Sequence, residues 1–140
     1  MLAVEPIQPA EIERDWADIA MRLWPAVRQS PGYDLEGLRQ RLVGGSAMAF
    51  RVLVGGDGLW VVSADQEGPE LILWTVAIAG RIEGGPKARL MAMRAALEAI
   101  EKTGRLAGCA AHRICGRDYS RLFPDYAPFE GERNGLEKRL

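Results

Sequence analysis

Apolar residues along the chain switch between two spacings, and the switches mark out its elements. The longest apolar run, Leu71 to Ala79, carries Leu71, Ile72, Leu73, Trp74, Val76 and Ile78. Its near-continuous character predicts a strand buried on both faces, central in a sheet. A glycine-rich loop follows (Gly80, Arg81, Gly84, Gly85), and Pro86 is placed to open a helix. That helix has its core stripe at Leu90, Met93, Leu97 and Ile100, with Ala92, Ala96 and Ala99 beside it, and Gly104 predicts its end. Leu106 to Ile114 reads as a second buried strand. Upstream, Leu2, Val4 and Ile7 suggest a short first strand. Ile12, Trp16, Ile19, Leu23 and Val27 fall at helical spacing, predicting a helix from about residue 10 to 24 that breaks or kinks at Pro25. Ser30-Pro31-Gly32 is a loop signal. Asp34 can cap a helix carrying Leu35, Leu38 and Leu42 that stops at Gly44-Gly45. Ala47 to Val54 and Leu59 to Ala64 read as hairpin strands joined by Gly55-Gly56-Asp57-Gly58, and Asp65 to Pro69 as the next turn. Past Gly116-Arg117, Asp118 can cap a short helix with Tyr119, Leu122 and Phe123, limited by Pro124. Asn134-Gly135 is a turn signal before a last strand at Leu136 to Leu140.

The resulting order, β-α-α-β-β-β-α-β-α-β, predicts one α/β domain over residues 1–140: a central mixed sheet of about six strands with helices on both faces. The strand–helix–strand unit after Glu70 should cross over right-handed, with its strands parallel.

Composition narrows the function classes. With 48% hydrophobic and 26% charged residues and a net charge of −1, the chain reads as an ordinary globular protein. Its charges are intermixed, which speaks against a nucleic-acid surface or a polybasic membrane patch. No stretch approaches the length of a membrane span, and the acidic N-terminus is unlike a signal peptide, so a cytoplasmic location is expected. Cys109 and Cys115 on one strand would lie about 20 Å apart, too far to pair, and are expected as reduced thiols. One histidine, His112, and two spaced cysteines make no metal-ligand set.

Chemistry concentrates around the glycine loop. A strand feeding a glycine turn at a helix start presents amides and the positive dipole end to an anion, which points to a phosphate-bearing ligand. Arg113 and Arg117 bracket the end of the second strand and could meet a diphosphate, or pair with Asp118 or Asp125. His112 could serve as a base, or as a hydrogen-bonded structural residue.

The element order resembles the GNAT family of N-acetyltransferases. In that family a loop of pattern Gln/Arg-x-x-Gly-x-Gly/Ala cradles the acetyl-CoA pyrophosphate. Arg81-Ile82-Glu83-Gly84-Gly85-Pro86 supplies Arg81 and Gly84, but Pro86 stands at the last small position and has no N–H. The run Gly104…Gly108-Cys109, Gly116-Arg117-Asp118-Tyr119-Ser120-Arg121-Leu122 and Glu137-Lys138-Arg139-Leu140 is similar to small GNAT-like proteins of tailed phages and prophages. The resemblance implies that acetyl-CoA is held by Arg81, Gly84, Gly85 and Lys87, with Trp74, Val76 and Ile78 along the pantetheine. The family's tyrosine acid falls at Phe123, leaving Tyr119 and Tyr126 as neighbours able to substitute. The central strand holds no acid to act as base; Asp65, Glu70 and Glu83 flank it. Two functions follow: a catalytically silent GNAT-fold protein serving assembly, with phage structural proteins or its own copies as partners, or an acyl-CoA-dependent N-acyltransferase acting on a small amine or a protein.

Overall fold

The computed structural model describes residues 4–29, 32–53, 56–82 and 84–140, without the side chains of residues 56, 81 and 82. The elements are β1 (Val4–Pro6), α1 (Pro9–Arg14), α2 (Trp16–Val27), α3 (Leu35–Gly44), β2 (Ala47–Val52), β3 (Gly56–Glu67), β4 (Glu70–Ile82), α4 (Pro86–Leu106), β5 (Ala111–Ile114), β6 (Ala127–Pro128) and β7 (Leu136–Arg139). The sheet has seven strands, one more than expected, in the order β1-β2-β3-β4-β5-β7-β6. All pairings are antiparallel except β4 with β5, which is parallel as the strand–helix–strand unit requires.

Two cores lie on opposite faces of this sheet. On one, Ile12, Ile19, Leu23, Val27, Leu38 and Leu42 from α1–α3 pack on Ala47, Leu59, Val61 and Val76. On the other, Ala96, Leu97 and Ile100 of α4 pack with Phe50, Trp60, Val62, Leu73, Phe123 and Tyr126. The central strand is therefore buried from both sides, as its apolar run predicts.

Several boundaries differ from expectation, each for a local reason. The first helix breaks at Asp15 and not at Pro25, which lies inside α2. Pro25 is exposed in the last turn and forgoes only the bond to the Met21 carbonyl, on a side open to water. Asp34 caps α3 as expected, accepting from the Gly37 amide at 2.7 Å, and Gly45 closes it with φ of 90°. Gly56, Asp57 and Gly58 belong to β3, where Gly56 and Asp57 pair with β4 beyond the last β2 partner, Val52 opposite Gly58; residues 54 and 55 lie outside the description. β3 also runs on to Glu67, so Asp65 and Gln66 are strand and not turn.

Gly104 does not end α4. It is buried inside the helix, where an added Cβ would come 2.9 Å from Leu140 Cδ1 and 3.0 Å from Leu73 Cδ2. The helix ends after Leu106, and Gly108 takes the left-handed conformation that follows, with φ of 82°. β5 is correspondingly short, and Cys109 and Cys115 flank it as free thiols. The expected short helix after Asp118 is absent. Asp118 accepts from the Ser120 amide at 3.0 Å, and a single turn closes from Leu122 and Phe123 onto the Tyr119 carbonyl. Pro124 cannot continue a helix, and the next turn closes separately, from the Tyr126 amide onto the Phe123 carbonyl at 3.1 Å.

Candidate functional site

Two features of β4 open a cleft in the middle of the sheet. The register against β3 slips by one residue, since Val61 faces Ala77 while Val62 faces Thr75, leaving Val76 as a bulge. On its other edge β4 pairs with β5 only from Ile72 to Trp74. Past that point the two strands part. β4 runs on to Ile82, whereas β5 stops at Ile114 and the chain turns away through Gly116, which has φ of 99°.

The cleft lies in this gap. Thr75, Val76, Ala77 and Ile78 form one wall, and Ile114, Cys115, Arg117 and Tyr119 form the other. A second cavity, sharing Ile78, Arg117 and Tyr119 with the first, lies past Gly80 against Arg89 and Met93 on α4. At the opposite end the cleft meets Tyr33, Asp65, Trp74 and Glu132.

The α4 end is built for negative charge. Pro86 occupies the first helical position after Gly85, and no acid lies in the first turn. Arg89 bonds its amide to the Gly85 carbonyl at 3.1 Å, so the amides of Lys87 and Ala88 are the ones without intrahelical acceptors. The Arg89 side chain has no ion-pair partner among the described residues, and Arg117 donates to Gln29 at 3.3 Å and lies near Tyr119. The opposite end carries carboxylates. Asp65 is held by Arg41 at 2.5 Å and by the Tyr33 hydroxyl at 3.4 Å.

The residues expected from sequence divide over this geometry. Val76 and Ile78 line the cleft, and Trp74 borders its acidic end, with its indole N–H donated to Glu67 at 3.0 Å. Gly84 and Gly85 stand exposed at the start of α4, with Lys87 beside them on the surface. Arg81 belongs to β4 opposite Asp57, not to a loop, and its side chain lies outside the description, as does Glu83. Tyr119 lines the cleft, and its hydroxyl has no hydrogen-bond partner among the described residues. Burial raises its pKa above the usual tyrosine range and keeps it protonated. Tyr126 does not reach the cleft: it is buried behind the sheet against His112 and Phe123. Arg113 does not line the cleft, and it meets neither Asp118 nor Asp125. It bridges Glu67 at 2.8 Å and Glu137 at 2.5 Å, between the rings of Trp74 and Phe129.

Sequence reasoning missed Thr75, Arg89 and Cys115, which enter the cleft only because β4 and β5 part. It also missed a buried polar chain that starts at Thr75. The Trp60 indole donates to Thr75 Oγ1 at 2.9 Å, and Thr75 Oγ1 lies 2.6 Å from His112 Nε2. His112 Nδ1 lies 2.6 Å from the Tyr126 hydroxyl, which donates to Glu101 at 3.4 Å. Lys138 donates to both Glu101 oxygens, at 2.9 and 3.2 Å. Burial holds the His112 pKa down at about 3, with the Lys138 charge adding to the effect, so its ring is neutral. Burial and the adjacent Glu101 push Tyr126 upward.

No family model matches the sequence, and comparison with curated proteins finds no match. Solved structures are similar in fold. The chain matches N-acetylglutamate synthase from Neisseria gonorrhoeae, complexed with coenzyme A and N-acetyl-glutamate, with a TM-score of 0.60 at 15% identity over 98% of its own length. It spans only 35% of that longer chain. It matches an aminoglycoside acetyltransferase in complex with coenzyme A and kanamycin with a TM-score of 0.59 at 10% identity, covering 98% of this chain and 94% of that one. For an acetyltransferase of the GNAT family from Streptococcus pneumoniae the TM-score is 0.54 at 13% identity, with 98% of each chain covered. Identities this low speak to architecture alone: the chain has the fold of the GNAT acetyltransferases.

Proposed function

We propose that the chain is an acyl-CoA-dependent N-acyltransferase that seats coenzyme A where β4 leaves β5. One observation carries this reading: past Trp74 the strands part, and the cavity in the gap shares Ile78, Arg117 and Tyr119 with a second one that reaches Arg89 in the first turn of α4. The pyrophosphate would meet the amides of Lys87 and Ala88 beside Gly84 and Gly85, with Arg89 and Arg117 as cations. The pantetheine would lie along Val76 and Ile78, bringing the thioester towards Thr75 and Tyr119. An amine entering past Trp74, Asp65 and Glu132 gives its ammonium proton to water at that mouth and attacks the thioester carbonyl as the free base; the C–S bond breaks, the departing thiolate takes the Tyr119 proton, and the proton left on the new amide nitrogen passes back to the Tyr119 oxygen. Direct attack of this kind depends chiefly on positioning. The carboxylates at that end favour a cationic small amine over an acidic acceptor.

A second reading, a silent GNAT-fold protein used in assembly with its own copies or with phage structural proteins, rests on two features. Pro86 withholds one amide from the cradle. Phe123 is locked in the core by Trp60, His112 and Tyr126, where it cannot serve as an acid. A thermal shift with acetyl-CoA separates the two. A ligand that binds only the folded state adds about 2.7 kcal/mol at about 100 times its dissociation constant, a rise of several degrees for a domain this size. Gly85→Glu is the control variant. Gly85 has φ of −71° and open space around its Cβ position, so the carboxylate is sterically accepted but occupies the phosphate position. The expected result is a shift in the native chain that is lost in Gly85→Glu. No shift at millimolar acetyl-CoA defeats the enzyme reading.

A further inference from the structure

The acidic mouth of the cleft lies on one face of the sheet. Leu59 and Val61 of β3 pack under α1–α3, and Ser63 and Asp65 continue on that side at alternate positions. Trp74 lies opposite Ser63 on one edge and opposite Arg113 of β5 on the other, with the Arg113 guanidinium over its ring. Ile114 belongs to the core of the other face, so Cys115 returns to this one. There Cys115 joins Tyr33, Asp65, Trp74 and Glu132 around a cavity of about 170 Å³.

The carboxylates on this face are not equivalent. Asp65 Oδ1 accepts from Arg41 at 2.5 Å, and Asp65 Oδ2 accepts from Tyr33 at 3.4 Å and from Ser63 at 3.3 Å. Its charge is offset and both its oxygens are engaged. Glu67 and Glu137 share Arg113, at 2.8 and 2.5 Å. The Glu132 carboxylate pairs with no cation and accepts no hydrogen bond among the described residues. Burial pushes the Cys115 thiol pKa up and Glu132 pushes it further, so the field of that carboxylate reaches the sulfur. The turn carrying Glu132 is tied to the same place: the Arg133 carbonyl accepts from the Gly116 amide at 2.8 Å, and Asn134 donates to the Gly116 carbonyl at 2.9 Å. We propose that Glu132 is the residue that selects the acceptor: it supplies the uncompensated negative charge at the mouth and holds a primary alkylammonium there, beside Cys115, before attack. Asp65, offset by Arg41, shapes the wall without competing for the cation. A neutral or anionic acceptor gains nothing from this mouth. The role in acyl transfer rests on the reading above, but the cation site itself does not.

Cys115 is a built-in probe of this charge. Its reaction rates are measured at low ionic strength with 2-aminoethyl methanethiosulfonate, a primary alkylammonium, and with the anionic 2-sulfonatoethyl reagent. Peptide mass spectrometry separates Cys115 from the buried Cys109. Both reagents consume the same thiolate, so the ratio of rates is independent of its pKa. Relative to the ratio on 2-mercaptoethanol, the native chain should favour the cation at least about fivefold, and Glu132→Gln should lose most of that preference. Glu132→Asp should keep it, and so should Glu130→Gln, which changes an exposed acid of the same loop outside the cavity lining. Glu132 is itself exposed, so these substitutions leave the core untouched. No preference in the native chain, or a Cys115 closed to both reagents, overturns the proposal. So does a preference that survives Glu132→Gln or falls as far in Glu130→Gln. The rates are then repeated with acetyl-CoA, whose own thiol is blocked. The cation preference should persist; shielding of Cys115 from both reagents overturns the acceptor role. Acetyl-CoA binding is measured first, alone, by thermal shift. Its absence defeats the acyltransfer reading and leaves the cation site to be judged by the rates without cofactor.

Discussion

At the residue scale, His112 ties the fold to pH. It is fully buried, and its pKa falls from an ordinary 6.5 to about 3. Between those values the unfolded chain binds a proton that the folded chain does not, so stability is complete above pH 6.5 and is lost as pH falls towards 3. Lowering pH from 6.5 to 5 should cost the native chain about 1.5 kcal/mol more than it costs His112→Gln. Denaturant titrations at the two pH values measure the difference, and equal losses would show that His112 is protonated in the folded state. The sequence allows a structural, hydrogen-bonded histidine, but not its partners. Thr75, Tyr126 and Glu101 come together through the β4–β5 pairing and the packing of α4, contacts that no local pattern encodes. The same holds for Arg113, whose acid partners Glu67 and Glu137 sit on two neighbouring strands.

At the scale of elements, the strand–helix–strand unit was the most legible part, because its strand is apolar throughout and Pro86 marks the helix start. Gly80 shows where that reading stops. It looks like loop punctuation but lies within β4 with φ of 94°. An added Cβ would come within 2.5 Å of the Asp57 carbonyl oxygen and 2.9 Å of Gly58 Cα, both backbone atoms that cannot swing aside. Glycine is needed there because β3 and β4 approach closely just before the chain turns into α4. Gly80→Ala should therefore destabilise by about 2 kcal/mol or more and weaken coenzyme A binding by displacing the start of α4. Chemical denaturation checks the first effect and calorimetry the second; an unchanged midpoint would mean that the strands do not meet this tightly. The segment after β5 was misread for a related reason. Residues 118–126 hold two separate turns, and β6 is two residues long, too short for any periodicity to register.

For the whole molecule, the sheet, the gap in it and the charges at its two ends make one argument. Arg89 and Arg117 flank the cleft where the helix amides end, while Asp65 and Glu132 lie at the far mouth. If the first pair holds a diphosphate, Arg89→Ala and Arg117→Ala should each weaken coenzyme A about tenfold or more, by loss of a charge-assisted hydrogen bond. Asp65→Asn should leave coenzyme A affinity unchanged. Calorimetric titration tests all three, and an Arg pair that can be removed without effect would place the phosphates elsewhere. The measurement that bears most directly on the account is hydrogen exchange with and without coenzyme A. Amides in 75–80, 84–90 and 115–119 should be protected together when coenzyme A is added, with little change in α1–α3. Protection confined to another surface, or no protection at saturating coenzyme A, would contradict the claim that the parting of β4 from β5 is a cofactor cleft.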